Sequence, residues 1–311
     1  MAIEHASVQV ARKPWGVADL HPWSSIDVSG DTVGELWFER ADKNAPIPAL
    51  LLKLLFTSEP LSIQVHPDDE FARSIGLPNG KTEAWYILAA APGARIALGL
   101  KRHLTPQQLR ASIRDGSIAA LTQWRPAAEG DIIFVPAGTI HAIGAGIVLA
   151  EIQQRSDTTF RLFDYGRQRE LHEESAVAVS DAGPIQAQPG SRPLTAARTA
   201  LVGSPHFVIE RIELQAHSSW TLNADRETWI LVIEGRALIG SISAAVGDVV
   251  FAEADHAGIE AGPDGMRCLI AYPGPDPTMP LLQESGAQMT DSAGSSVLRS
   301  PKPKETIEAQ P

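Results

Sequence analysis

The chain has 311 residues, of which 44% are hydrophobic, so it can form one large domain or two ordinary ones. Its net charge of −11 argues against nucleic acid as the main partner, because phosphate backbones are bound by excess Lys and Arg. The single Cys268 excludes an internal disulfide and a Cys-rich zinc site. Because no signal segment or membrane span of roughly 18 apolar residues is present, we expect a cytoplasmic protein without a membrane partner.

Short strand-like segments separated by turn residues occupy residues 13–56. Residues 34–39 predict a strand of mixed burial, and residues 49–56 predict a buried strand with one charge, Lys53, in its middle. Lys53 has two interpretations. In the first, Lys53 protects an edge strand from pairing with another strand, and this segment taken alone favours that interpretation. In the second, Lys53 is a cation directed into a cavity.

The most informative segment follows, Leu61-Ser62-Ile63-Gln64-Val65-His66-Pro67-Asp68-Asp69. Because strand side chains alternate, one face of it is apolar and the other presents a hydroxyl, an amide and an imidazole in a row. Pro67 and the aspartates then end the strand. A buried polar row needs partners, so we expect a water-filled cavity, a metal or a polar ligand beside it.

The next segments alternate between strand and helix signals. Residues 79–88 predict a turn and a strand with Lys81, Glu83 and Trp85 on one face. Residues 103–121 predict a short helical insertion that begins at an N-terminal Thr105-Pro106 signal.

Strands resume at residues 130–141, where a strand runs into a Pro/Gly turn followed by His141. Residues 147–153 and 158–165 predict two more strands, and residues 170–179 are weakly helical. Residues 184–193 form a linker rich in Pro, Gly and Gln.

The chain then repeats itself. Residues 247–256 resemble the strand at 130–141, and residues 227–232 resemble 83–88, which indicates two related β modules. The Gly-Asp-x-x-Phe-x-Pro-x-Gly-x-x-His pattern that begins at Gly130 is a cupin-type signal. We therefore predict an all-β protein with two cupin-type jelly rolls, at about 40–165 and about 200–275, and a short helical insertion.

The predicted domains follow from this pattern. They are a catalytic, metal-binding module with the N-terminal strands at 1–180, a linker at 181–198, a degenerate module at 199–280 and a disordered tail at 281–311.

Three potential metal ligands stand out in the first module: His66, Glu83 and His141, with Gln64 as a possible fourth. Two imidazoles and a carboxylate occur in catalytic zinc sites and in non-haem iron sites. Singly, each residue has an ordinary structural explanation, but jointly, on inward-facing strand positions, they indicate one metal site. The second module lacks a matching first ligand strand, so we predict that it binds no metal and serves packing or dimerisation.

Four motifs occur in a distinctive order: QVHPDD at 64–69, GKTEAWY at 80–86, VPAGTIHAIG at 135–144 and EIQQRSDTTFR at 151–161. In this order they resemble the motifs of type I mannose-6-phosphate isomerases of the short bacterial form. The similarity covers roughly residues 13–180 and continues more weakly to about 275. It implies a zinc-dependent aldose–ketose isomerase that interconverts mannose 6-phosphate and fructose 6-phosphate through a cis-enediol.

The resemblance also implies roles for particular residues. One zinc ion per chain is bound by His66, Glu83 and His141, with Gln64 as the fourth ligand in many members. Arg161 matches the family's active-site arginine. Three further residues fall where family members line the pocket for the phosphorylated hexose: Lys53, Ser62 and Lys81.

The sequence is compatible with more than one general base, oligomeric state and class of cupin. The general base is Glu151, a zinc-bound water or a lysine with a lowered pKa. The oligomeric state is a monomer or a homodimer. The bare ligand set also fits an iron-dependent cupin dioxygenase, and a non-catalytic sugar-binding cupin is a third class.

Overall fold

The computed structural model describes residues 2–28, 30–185 and 187–285, which fold mainly into β-strands. The first twelve strands are β1 (Ala2–His5), β2 (Ser7–Ala11), β3 (Glu35–Glu39), β4 (Leu50–Thr57), β5 (Ile63–Val65), β6 (Glu83–Ala90), β7 (Arg95–Leu100), β8 (Thr122–Pro126), β9 (Ile132–Val135), β10 (His141–Ile143), β11 (Ile147–Gln154) and β12 (Phe160–Phe163). The helices among them are α1 (Asp69–Ser74), α2 (Pro106–Arg114), α3 (Ile118–Leu121) and α4 (Glu173–Val179).

The remaining elements are nine strands and a short 3-10 helix at Met279–Leu281. The strands are β13 (Arg192–Pro193), β14 (Arg198–Gly203), β15 (Phe207–Leu214), β16 (Ser219–Ala224), β17 (Thr228–Ile239), β18 (Ile242–Ala245), β19 (Val249–Glu253), β20 (Asp255–Pro273) and β21 (Leu282–Glu284). Among the described residues, none of the helices has the length and apolarity needed to span a bilayer.

Two antiparallel sheets form the first module. A five-stranded sheet in the order β12-β5-β10-β7-β8 faces a six-stranded sheet in the order β2-β3-β4-β11-β6-β9. One apolar cluster includes residues from both sheets, among them Leu55, Trp85, Ile96 and Leu149, and so fills the space between them. This is the jelly-roll arrangement that the sequence predicted, and the functional side chains lie within the same interior.

The second module is built on a ten-stranded sheet with its own apolar core. A second, larger core joins it to the outer face of the six-stranded sheet, where Leu52 and Leu54 pack in the same cluster as Trp229 and Phe251. Strand β4 is therefore buried along its whole length and lies between β3 and β11. The edge-strand interpretation of Lys53 is wrong for this reason, since Lys53 lies opposite Trp37 of β3 on one side and Glu151 of β11 on the other.

The helices cover the outer face of the five-stranded sheet, where Leu109 and Ile113 of α2 share a core with Ile63 and Val65 of β5. Helix α2 begins with the predicted Thr105 cap, whose side chain accepts a hydrogen bond from the backbone N–H of Gln108. The helical insertion is thereby confirmed. Helix α1 was not predicted and starts where the sequence indicated only the end of a strand.

The internal repeat corresponds to a repeated pair of strands. Strand β6 pairs with β9 so that Trp85 lies opposite Ile133, and β17 pairs with β19 so that Trp229 lies opposite Phe251. Each tryptophan follows a glutamate by two positions and donates its indole N–H to that carboxylate. The two modules thus share one local structural unit.

Some expected boundaries differ from the observed elements. Strand β1 pairs with β19 of the second module, although residues 1–180 were assigned to the first. Strand β21 pairs with β16, so residues 281–285 are not a disordered tail; residues 286–311 lie outside the described residues, and disorder there stays a prediction. Within the expected linker, Arg192–Pro193 already forms β13, and Arg198 begins β14. We retain the two-module division itself as a proposal.

Arg198, the last residue of the predicted linker, is fully buried in the second module. Its guanidinium donates two hydrogen bonds to Glu210, both of 2.8 Å, and two more to the carbonyls of Thr278 and Met279 at 2.8 and 2.7 Å. Tyr272 donates its hydroxyl to the same carboxylate. A buried ion pair requires such complete hydrogen bonding, and here it ties the C-terminal segment to β14 and β15.

Candidate metal centre

The register of the two facing sheets brings the candidate residues together. In the five-stranded sheet Gln64 lies opposite His141 on one side and Arg161 on the other. In the six-stranded sheet Glu151 of β11 lies opposite Lys53 of β4. Because each sheet directs this row towards the other, residues distant in sequence meet inside the jelly roll.

His66, Glu83 and His141 form a compact cluster. Each offers one ligand atom, and these atoms all lie within 4.8 Å of one another. The Nε2 atom of His66 is 3.3 Å from Glu83 Oε2, and that of His141 is 3.4 Å from Glu83 Oε1. All three side chains are at most 1% exposed. The structure thus brings together the three residues that the sequence indicated as potential metal ligands.

Backbone carbonyls orient both imidazoles. His66 Nδ1 lies 2.8 Å from the carbonyl of Thr158, and His141 Nδ1 lies 2.9 Å from that of Thr139. Since a carbonyl only accepts, each Nδ1 must carry the proton, and each Nε2 lone pair faces Glu83. Burial lowers the pKa of His66, and it lowers the pKa of His141 to about 3, so both rings are neutral. Neutral imidazoles with one oriented lone pair are what a metal requires.

Glu83 supplies the negative charge of the cluster. Burial alone would raise its pKa, but the Lys81 ammonium outweighs burial and holds the pKa well below its usual range. Trp85 donates its indole N–H to Glu83 Oε1 at 3.0 Å and to Glu151 at 3.2 Å. Glu83 is therefore an ionised carboxylate fixed in place by its neighbour on β6.

The donor set fits a divalent cation. Glu83 Oε2 is buried and accepts no hydrogen bond of ordinary geometry among the described residues. A positive charge already lies against it, since Lys81 Nζ is 2.6 Å from this oxygen and 3.2 Å from His66 Nε2. Two neutral imidazoles and one carboxylate with free lone pairs are suitable ligands for zinc and for other divalent transition metals.

Gln64 lies beside the cluster with its amide nitrogen 3.2 Å from His141 Nε2, and Ser62 donates its hydroxyl to the amide oxygen at 3.1 Å. Amide oxygen and nitrogen are assigned from such networks. The same amide turned by 180° presents its oxygen to the cluster, and the Ser62 hydroxyl can then accept instead of donate. Gln64 is therefore placed to serve as a fourth donor.

A cavity of about 150 Å³ opens beside the cluster. Its walls are formed by Lys13, Trp15, Glu35, Lys53, Leu55, Leu61, Ser62, Gln64, Lys81, Glu151, Asp157, Thr159, Arg161 and Arg169. Five of these residues are basic and three are acidic, which is a local excess of positive charge in a chain of net charge −11. Such a cavity favours a polar, anionic ligand.

Lys53 is held within this cavity by three carboxylates. Its Nζ lies 3.1 Å from Asp157 Oδ1, 3.6 Å from Glu151 Oε1 and 3.9 Å from Glu35 Oε2. It also lies 4.2 Å from the centre of the Trp37 ring. The cavity interpretation of Lys53 is therefore correct, and a cation in this position compensates the buried carboxylates of Glu35 and Glu151.

Glu151 is the buried carboxylate shared by both lysines of the cavity. Lys53 and Lys81 lie 3.6 and 3.8 Å from its Oε1 atom. Burial, and then the neighbouring Glu83, raise its pKa above the ordinary value in spite of these cations. A carboxyl group whose pKa approaches neutrality can exchange protons at working pH.

Arg161 reaches the cavity from β12 and is half-buried, and its Nε atom donates to the carbonyl of Glu170 at 3.0 Å. The sequence did not identify Arg169, which also lines the cavity and pairs with the buried Asp164. It also missed Glu35 and Asp157. Asp157 lies within a recognised motif, but nothing local marks Glu35 or Arg169, which reach the cavity only through the fold.

The fold and the site together define a cupin-type protein with a candidate metal cluster of two histidines and one glutamate. No protein-family model matches the chain. The mannose-6-phosphate isomerase of Streptococcus mutans is 30% identical over 286 residues, which cover 80% of this chain and 89% of that protein. The mannose-6-phosphate isomerase ManA of Bacillus subtilis is 38% identical over 167 residues, 50% of this chain and 53% of that protein.

Among solved structures, the mannose 6-phosphate isomerase from Bacillus subtilis matches with a TM-score of 0.77 at 23% identity, over 88% of this chain and 100% of that one. This likeness supports the fold. The extent of the similarity to the Streptococcus protein shows that the chain belongs to the mannose-6-phosphate isomerase family. The family and the enzyme class indicated by the four sequence motifs are thereby confirmed.

Proposed function

We propose that this chain interconverts mannose 6-phosphate and fructose 6-phosphate, with one divalent ion held by His66, Glu83 and His141 and with Gln64 as an additional donor. The observation that carries the proposal is the buried His/Glu/His cluster beside a cavity with an excess of basic residues. The names of its relatives supply the reaction. We further propose zinc as the ion, because two imidazoles and one carboxylate are a ligand set of catalytic zinc.

When bound, such an ion supplies Lewis acidity that stabilises negative charge developing on the C1 and C2 oxygens of the sugar. The side chains of the cavity would bind the substrate and stabilise its charge. Lys53, Ser62 and Lys81 offer donors for substrate hydroxyl and phosphate oxygens. Arg161 adds a fixed cation, which acts more strongly in an enclosed cavity than in water.

Isomerisation of mannose 6-phosphate transfers a proton from C2 to C1 through a cis-enediol, while the C2 hydroxyl loses a proton and the C1 oxygen gains one by exchange with solvent. We propose Glu151 as the group that carries the proton between the two carbon atoms. Its burial and the neighbouring Glu83 support the assignment, because they raise its pKa towards the working pH, where a base that takes and returns a proton works best. Glu151 is one of the three candidates that the sequence left open, and we propose it in preference to a zinc-bound water and a lysine.

Turnover of mannose 6-phosphate by the purified chain tests the function, with fructose 6-phosphate measured by nuclear magnetic resonance. Unphosphorylated mannose serves as the control, since it lacks the group that the basic side chains bind. Efficient turnover of the phosphorylated sugar alone is the expected result. Binding without turnover would support a sugar-binding cupin, and oxygen consumption would support an iron-dependent oxygenase. Either outcome would reject the proposal.

Arg161→Ala is expected to lower kcat by about 10²-fold with the metal content unchanged, because one fixed donor near developing charge contributes on this scale. Metal content and turnover are measured in the same preparation. Arg110→Ala, which removes an ion pair on the outer surface of α2, is a control that should leave both unchanged. Undiminished turnover in Arg161→Ala would remove this residue from the reaction.

The cytoplasmic location and the monomeric or homodimeric state that we expected from the sequence stay predictions.

A further inference from the structure

The second module carries a copy of the glutamate–tryptophan unit that holds the candidate metal ligand. Trp229 Nε1 donates to Glu227 Oε1 at 2.8 Å, as Trp85 Nε1 donates to Glu83 Oε1 at 3.0 Å. The carboxylates nevertheless have different partners. Glu83 faces two histidines, whereas His256, which ends the repeated segment 247–256 of the second module, is exposed on β20. Glu227 therefore has a different structural role.

The remaining hydrogen bonds of Glu227 show this role. Glu227 is 6% exposed, and its two oxygens accept the backbone N–H groups of Ala49 at 2.5 Å and Leu50 at 2.8 Å. Leu50 is the first residue of β4 in the first module, and Ala49 directly precedes it. A buried carboxylate that accepts two backbone N–H groups and one indole N–H is well satisfied by hydrogen bonds, and it fixes the backbone at Ala49 and Leu50.

The start of β4 needs such a partner. Strand β3 pairs with β4 only as far as Leu52, which lies opposite Phe38. Beyond it, the backbone groups of Leu50 are satisfied by side chains: Glu227 accepts from its N–H, and Arg155 donates to its carbonyl at 2.9 and 3.2 Å. Arg155 also binds Glu39 at the end of β3. A clamp of two side chains thus replaces the missing neighbour strand.

Lys53 lies on β4 and lines the cavity. Lys53 follows Leu50 by three positions and lies opposite Glu151 in the register of β4 and β11. Its Nζ lies 3.6 Å from Glu151, the residue that we propose carries the proton. Any shift of the clamped end of β4 therefore moves this cation relative to that carboxylate.

We propose that Glu227 is a positioning residue for the isomerase reaction, through which the second module fixes β4 and hence Lys53 in the active site of the first. The inference rests on the proposed function and gives the degenerate module a part in catalysis. The side chain itself does not touch the cavity, so its removal changes turnover through the geometry of Lys53 and leaves the metal cluster intact.

Glu227→Gln and Glu227→Ala test this role. The amide has one acceptor oxygen, so Gln is expected to lower kcat by about threefold, and Ala, which has none, by about tenfold, since small misplacements of reacting groups have effects of this order. KM for mannose 6-phosphate should rise along with the loss in kcat, because Lys53 is also proposed to donate to the substrate, whereas the metal content per chain should stay near the wild-type value. The graded loss in kcat is a result that general destabilisation does not produce.

Glu210→Gln is the matched control. It weakens an equally buried pair in the same module, with Arg198, but it does not contact β4. It should lower Tm while kcat per folded molecule stays unchanged. If Glu227→Ala does not fold, the kcat of Glu227→Gln alone tests the positioning role.

Two outcomes separate the proposals. A wild-type chain without isomerase activity would reject the proposed function and this inference with it. An active wild type whose Glu227 variants match Glu210→Gln in kcat would overturn the positioning role alone.

Discussion

Replacing Glu83 by Gln is expected to remove the metal from the protein and to lower turnover of mannose 6-phosphate by about 10⁴-fold. The amide has the shape of the carboxylate but no charge, so His66 and His141 would be left as two neutral ligands without an anion. Loss of a Lewis acid removes several kcal/mol of stabilisation from the transition state, which corresponds to about this factor. Metal content by elemental analysis and turnover in the same sample give the result.

Glu227→Gln is the control for this substitution, because it changes the equivalent glutamate of the repeated unit in the second module. It should retain a full complement of metal and lose activity by only about threefold, far less than the loss expected for Glu83→Gln. A Glu83→Gln protein that bound metal at the wild-type level would exclude Glu83 from the ligand set, and the site would need a different set of donors.

Replacing Glu151 by Gln is expected to lower kcat by about 10³-fold while the metal content is unchanged, because it removes a positioned proton carrier and leaves the cluster in place. The shape of the side chain is kept, and the hydrogen bond to the Trp85 indole N–H can still be accepted by the amide oxygen. Metal content again separates this effect from loss of the cofactor.

The pH profile gives a second test of Glu151. The base must be ionised to take the C2 proton, so activity should fall as the pH falls through its pKa. Because burial and Glu83 raise that pKa, the fall should occur at a higher pH than for an exposed carboxyl group. The residual activity of Glu151→Gln should not show this fall in activity at low pH. A variant with nearly full kcat would assign the proton transfer to another group.

Much of the site was predictable because strand side chains alternate. The period of two placed Ser62, Gln64 and His66 on one face, and it placed Lys81, Glu83 and Trp85 together on another. The structure brings both rows to the same interior, where Lys81 and His66 each approach Glu83. The Thr105 cap was equally readable, since a helix start depends on a few adjacent residues.

Other features depend on contacts that sequence patterns do not encode. Lys53 was ambiguous because its role depends on whether β4 is an edge strand, and that depends on the position of β3 and β11. Helix α1 was missed although Asp68 caps it, because the Pro67 turn suggested only the end of a strand. The roles of Arg198 and Glu227 arise from partners far away in the chain, Met279 and Leu50 among them. Such long-range pairs become visible only in the folded chain.

The most direct test of a metal-dependent isomerase is turnover of mannose 6-phosphate before and after chelation, followed by addition of zinc. The cluster of His66, Glu83 and His141 predicts that turnover disappears with the metal and returns when about one zinc ion per chain is restored. Turnover that survives complete removal of metal would contradict the account, because the reaction would then proceed without the ion that these three residues are proposed to hold.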